Sequence, residues 1–355
     1  MVTALLQKAL RRSLDQVRHV SPVRPDGGPD GTVARVYRQA EQDFGMLAPP
    51  VALHSPAPGP LAASWMMLRE SLLADGLVPR ATKEAVAAAV SLGNSCPYCI
   101  TVHATTLSAL LGTPTGAAVS ADDLAAIPDP RIRAVAQWAR RSASLPDSRS
   151  SEVPFSREQA PELIGVAVTF HYLNRMVDIF LADSPLPPNV PGPARSNALR
   201  LLGRFMGSAA RADHRPGASL DLLPAAPLSE DLAWAAGSPH VAEAFARADA
   251  AIEAVGRQYV PASVRAALHA RLAGWDGQPP GLSRAWVQDE VASLPPEDRA
   301  AGRLVMLTAL ASYQVDQQVI DAFRWHQPGD EALVAATSWA SMAVARQVGC
   351  RLRIG

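Results

Sequence analysis

From one end of the chain to the other, apolar residues recur three and four positions apart, and no stretch keeps up the two-residue alternation of a half-buried strand. Segments such as TVARVYRQAEQDFGML, PLAASWMMLRESLLADG and HVAEAFARADAAIEAVGRQYV each lay an apolar stripe along one side of a helix. That periodicity leaves an all-α fold of packed helices as the expectation. Hydrophobic residues make up 48% of the chain and aromatic residues only 5%, so aliphatic side chains fill most of the core.

With 355 residues the chain holds two ordinary domains or one large one. Lys and Arg together number 33, as do Asp and Glu, so the net charge is zero and nothing electrostatic favours nucleic acid or an anionic membrane as partner. The longest apolar runs, such as AVAAAV from Ala85, are much shorter than the roughly 20 residues of a membrane-spanning helix. The start, MVTALLQKALRRSLDQVRHV, interrupts its apolar residues with arginines and predicts an amphipathic surface helix, not an export signal. Three cysteines, Cys96, Cys99 and Cys350, are too few for a disulfide framework in a chain of this size, and the expected compartment is the reducing cytoplasm.

Glycine and proline divide the helices. A helix TKEAVAAAVSLG, with Thr82 as its expected N-cap, stops at Gly93, and CPYCITVHATTLSALLG follows with Pro97 in its first turn, where a missing N–H costs nothing. Ser156 and Gln159 stand in capping-box spacing ahead of the long apolar run APELIGVAVTFHYLNRMVDIFL. Five prolines fall within residues 185–194 and mark the expected boundary. The expected organisation is therefore a helical unit over residues 1–184, a Pro-rich linker region over 185–228, and a second helical unit over 229–355. Laying Glu84 on Arg303 places Cys96 on Val315, Cys99 on Gln318 and His103 on Ala322, which predicts a degenerate internal duplication whose first copy alone keeps reactive residues.

The chemistry concentrates in EAVAAAVSLGNSCPYCITVH. Cys96 and Cys99 stand about one helical turn apart at a helix start, close enough to form a disulfide, where unpaired N–H groups and the dipole favour a thiolate. His103 lies four residues beyond Cys99 on the same helix face. Glu84 would be about 18 Å away along an unbroken helix, but a turn at Gly93, Asn94 and Ser95 folds it back opposite His103. Three readings are open for these residues: a redox dithiol with an acid–imidazole pair, a zinc site, or packed thiols. A second ligand cluster for zinc is missing from the sequence, and a thioredoxin-like CxxC lacks its βαβ surroundings.

Glu84, eleven residues, Cys96, two residues, Cys99, three residues, His103: this pattern resembles the alkylhydroperoxidase AhpD-like branch of the carboxymuconolactone decarboxylase-like superfamily. The likeness extends over residues 33–182, through YRQAEQDFGMLAPPVALHSPAP and, more faintly, FHYLNRMVDIFL. It implies an AhpD-like helical bundle and a peroxidase without metal or cofactor. In such an enzyme Cys99 attacks the peroxide, Cys96 resolves the sulfenic acid into a disulfide, and Glu84 with His103 relays protons. It further implies a peroxide substrate, a dithiol reductant protein, lipoylated in AhpD-type systems, and a homo-oligomer. The alternatives are a non-catalytic metal-binding or helical interaction module and a redox sensor using the same disulfide. Tyr98 departs from the pattern, standing where some members have a further histidine in the relay. His171, Asn174 and Arg175 are candidates for a cavity mouth or for ordinary polar helix positions, and Cys350 is expected to be a bystander.

Overall fold

Helices carry the chain where the periodicity places them, and no strand occurs among the residues that the computed structural model describes, 12–25, 31–144, 153–186 and 190–354. The expected N-terminal helix falls largely on residues 1–11, outside the described residues. Its described end is a 3-10 turn, Arg12–Gln16, with Leu14 buried. Then come α1 (Gly31–Asp43), α2 (Pro49–Ala52) and α3 (Pro58–Leu68), the last running into a π-turn over Arg69–Leu73. In that widened turn Arg69 reaches Asp43 and Glu70, whose carboxylate in turn accepts from the backbone N–H groups of Gly217 and Ser219.

The hairpin that carries the CxxC is α4 (Arg80–Gly93) and α5 (Pro97–Leu111). Thr82 is not the N-cap. The helix starts two residues earlier, behind Pro79, because proline fixes an extended lead-in and leaves Arg80 free to begin the first turn. α6 (Thr113–Ser120) packs on α5 and α7 (Pro130–Arg140) on α4. α8 (Ala160–Phe180) is buried along nearly its whole length. The capping box ahead of it forms its glutamine half, Gln159 Oε1 accepting from the Ser156 backbone N–H at 3.2 Å, one turn before the regular helix.

The interval read as a linker contains an 18-residue helix, α9 (Gly192–Ala209), which packs on α5. Pro191 and Pro193 end at its first turn, where proline is tolerated, and the rest of the segment is helix-forming. Beyond it follow α10 (Pro239–Tyr259), α11 (Ala262–Ala273), α12 (Ala285–Ala292), α13 (Arg299–Leu310), α14 (Gln317–His326) and α15 (Asp330–Arg351).

Two related helical units are visible in these boundaries. The shift that lays Glu84 on Arg303 also lays Arg80, the first residue of α4, on Arg299, the first of α13, and Pro97 on Asp316, the N-cap of α14. The long helix after each hairpin, α8 and α15, packs against the other, as does α3 against α10. The approach of α15 to α8 depends on Gly349, where a Cβ would come 2.8 Å from Val168 and 2.7 Å from the Trp234 indole nitrogen. Tyr172 of α8 donates to Ser338 of α15 at 3.1 Å. One apolar cluster runs from Leu14 to Leu352 and includes residues of both units.

Candidate active site

The turn between α4 and α5 is tight and well tied. Ser95 takes a left-handed backbone, φ 56°, and the Cys96 N–H returns to the Ser91 carbonyl at 3.0 Å. A Cβ on Gly93 would come 2.6 Å from the Arg140 carbonyl oxygen at the end of α7, so glycine is required where these backbones meet. The Asn94 amide donates to Asn174 Oδ1 at 2.9 Å and to His171 Nδ1 at 3.2 Å, while Asn174 Nδ2 donates to Ser91 Oγ at 3.1 Å. With Nδ1 accepting, His171 carries its proton on Nε2 and donates it to Ser142 Oγ at 2.7 Å. Burial holds the His171 pKa well below the ordinary value, and Arg175 pushes it the same way, so this ring is a neutral brace. His171 and Asn174 thus fasten the turn from buried positions, and Arg175 spans α8 and α13 by donating to the Ala309 and His171 carbonyls.

Cys96 is the N-cap of α5 and Cys99 lies in its first turn, their sulfurs 2.7 Å apart. That proximity suits disulfide formation without rearrangement of the backbone. The two thiols differ in surroundings. Cys96 is fully buried, and burial pushes its pKa up, with the hydrogen bond it donates to Cys99 and the neighbouring Cys99 and Asp178 charges adding to the rise. The expected lowering at the helix start therefore fails for Cys96, because complete loss of water outweighs the dipole. Cys99 instead faces a cavity of about 610 Å³.

That cavity is walled by apolar side chains from separate helices, Phe170, Leu173 and Val177 of α8 facing Leu202, Phe205 and Met206 of α9. Tyr98, Cys99 and His103 are the groups of α5 that bring polar chemistry to its wall. Burial raises the Tyr98 phenol pKa, with the Cys99 and Cys96 charges adding, so it stays protonated.

His103 Nδ1 donates to Glu84 Oε2 at 2.6 Å, and the edge of its ring meets Phe170 with centroids 4.6 Å apart. Arg80, one turn before Glu84, donates through Nε at 2.9 Å and Nη2 at 2.8 Å to Oε1. Burial alone would raise the Glu84 pKa, but Arg80 and His103 together bring it down to about 2, so a fully buried carboxylate stays ionised. It orients the imidazole and leaves Nε2 as the ring atom free to exchange protons.

The hairpin thus brings Glu84 to His103 and Cys96 to Cys99, and it sets His103 and Cys99 on one cavity wall. The sequence reading missed Arg80, although an Arg four residues before a Glu on one helix is an ordinary pairing signal. It also missed Asp178 of α8, whose charge acts on the Cys96 thiol. Cys350 is exposed near the end of α15. Among the described residues, no three His, Cys, Asp or Glu side chains come together as a metal-binding group, and no helix is long and apolar enough to cross a membrane.

The carboxymuconolactone decarboxylase family model matches residues 59–141, which contain the hairpin and all four of these side chains. A protein of Mycobacterium tuberculosis named alkyl hydroperoxide reductase is 38% identical over 334 residues, 94% of each chain. A solved structure from Ralstonia eutropha, described as an alkylhydroperoxidase AhpD core and an uncharacterised peroxidase-related protein, is 21% identical with a TM-score of 0.43, covering 53% of this chain and 97% of its own.

Proposed function

The chain belongs to the AhpD-like, carboxymuconolactone decarboxylase-like superfamily, and from that premise we propose that this alkylhydroperoxidase-like enzyme reduces organic hydroperoxides through a Cys96–Cys99 dithiol cycle. The observation that carries the reading is the position of Cys99 and His103 together on the wall of a large apolar cavity, with Cys96 directly behind Cys99.

In this reading the organic group of the hydroperoxide occupies the cavity and its O–O group meets Cys99. His103 takes the Cys99 proton, the thiolate attacks the terminal peroxide oxygen, and the O–O bond breaks. The departing alkoxide receives the proton back from His103, giving an alcohol and Cys99 sulfenic acid. Glu84, kept ionised by Arg80, steadies the imidazolium in between. The Cys96 sulfur then attacks Cys99, an S–S bond replaces S–O, and the oxygen leaves as water. An external dithiol returns the pair to the thiol state by disulfide exchange, for which a lipoylated protein is the proposed source.

Cumene hydroperoxide consumption with dihydrolipoamide as reductant tests this. Wild-type protein is expected to turn over, Cys99→Ser to lose consumption, and Cys96→Ser to stop after one equivalent as a sulfenic acid that dimedone traps. Unchanged consumption by Cys99→Ser would overturn the reading.

A further inference from the structure

Cys96 is boxed in. The sulfur of Cys99 lies 2.7 Å away, the carboxylate of Asp178 stands close enough to act on the thiol, and no part of Cys96 reaches solvent. A thiol in that position reacts only as a thiolate, and its proton has to pass to a neighbour. His103 is already paired to Glu84 and faces the cavity, where Cys96 is not exposed. Asp178 is the remaining acceptor beside it.

The carboxylate is held from the second helical unit. Ser312, in the 3-10 turn Ser312–Gln314 that follows α13, donates its hydroxyl to Asp178 Oδ2 at 2.7 Å. By the shift that relates the two hairpins, this turn precedes the position equivalent to Cys96. The copy of the turn that leads into the CxxC therefore packs at the back of the working site.

We propose that Asp178 is the catalytic base for Cys96, taking its proton as the thiol attacks oxidised Cys99, with Ser312 as the positioning residue that the C-terminal unit supplies. This rests on the dithiol cycle above. The Cys96 S–H proton moves to the Asp178 carboxylate, the sulfur's electron pair forms the S–S bond, and the Cys99 S–O bond breaks. The hydroxide released takes up the proton that Asp178 carries and leaves as water, so Asp178 returns to its ionised form.

The electrostatics agree with the geometry. Burial raises the Asp178 pKa to about 7, against the opposing pull of the Ser312 hydroxyl, the Cys96 thiol and the charge of Arg175, while Asp183 adds to the rise. Such a carboxyl exchanges protons near neutrality. The charged groups facing it are Arg175 on its own helix, Asp183 just beyond it, the Cys96 thiol from α5, and Arg18 of the N-terminal segment. Arg18 places its guanidinium against the carbonyls of Asp178 and Leu181. Ionised Asp178 accepts the proton and protonated Asp178 does not, so resolution speeds up as pH rises through about 7.

The test uses the full chain in a Cys350→Ser background, which removes the exposed thiol. The neutral reagent 4,4′-dithiodipyridine releases one thiopyridone when Cys99 attacks it and a second when Cys96 displaces the mixed disulfide, so the two cysteines are timed separately without peroxide. Asp178→Asn is expected to leave the first release within about twofold and to slow the second by roughly a hundredfold, abolishing its rise through neutral pH. Ser312→Ala is expected to slow the second release several-fold and move its pH midpoint upward, and Asp178→Glu to restore a pH-dependent second phase. A second release in Asp178→Asn with wild-type rate and pH profile overturns the proposal, as does equal slowing of both phases. If wild-type protein resolves the mixed disulfide in this Asp178-dependent way but consumes no cumene hydroperoxide, the peroxidase reading fails and the role of Asp178 at Cys96 stands.

Discussion

Glu84 has no access to water, yet it is ionised between a guanidinium and an imidazole. Replacing it with Gln leaves the half-buried Arg80 against an amide and deprives the His103 Nδ1–H of its anionic acceptor. Loss of one member of such a pair costs about 3 kcal/mol of stability, and loss of the oriented imidazole is expected to lower kcat by two orders of magnitude or more. The pH dependence has a definite sign. The folded pKa of about 2 lies below the ordinary 4.5, so the stabilisation is complete above 4.5 and disappears as pH falls toward 2. Urea unfolding should therefore separate wild type from Glu84→Gln at pH 7 and bring the two together near pH 2. Glu84, Cys96, Cys99 and His103 were legible in sequence because helix spacing and one glycine turn bring them together locally. Asp178 and Ser312 were not, since only the packing of α8 and of the turn after α13 against the start of α5 carries them to Cys96.

Among the elements, α9 governs the cavity's width, and it was hidden in the sequence by the prolines around its start. Its contact with α5 depends on two glycines one turn apart. A Cβ at Gly203 would come 2.8 Å from Thr105 Cγ2, and one at Gly207 would come 2.7 Å from Ala109 Cβ. Alanine at both positions gains about 1 kcal/mol of helix propensity at each. Overpacking against backbone-linked carbons costs about 1–3 kcal/mol per site, so the steric term prevails and the helix is displaced. The Gly203→Ala, Gly207→Ala protein is expected to melt lower and to show a several-fold higher KM for cumene hydroperoxide, with kcat much less affected, because Leu202, Phe205 and Met206 lie on the displaced helix. Most of the longer helices were readable because each has its own apolar stripe or punctuating residue, whereas the eight-residue α6 and α12 were not. Errors gathered at starts such as that of α4, where Pro79 and not a polar cap sets the first turn.

Across the whole molecule, the pairs α8–α15 and α3–α10 make each unit the other's interior. A single calorimetric transition is expected, with van't Hoff and calorimetric enthalpies in agreement. A chain ending at residue 228 would expose the faces of α3 and α8 that α10 and α15 cover, so it is expected to bind hydrophobic dye and to lack a sharp melt. Periodicity announced the two units but gave no sign of how they join, because the contacts between them rest on shape, as at Gly349 against Val168 and Trp234. Their union in one polypeptide has an evolutionary consequence. In a dimer of identical subunits every substitution is made twice, and a loop cannot be changed at one centre while it is spared at the other. Covalent linkage of two copies removes that constraint: the counterpart of SCPYC was free to lose its thiols and become GlnValAspGlnGln, residues 314–318, and Ser312, two residues ahead of it, now faces the centre that remained.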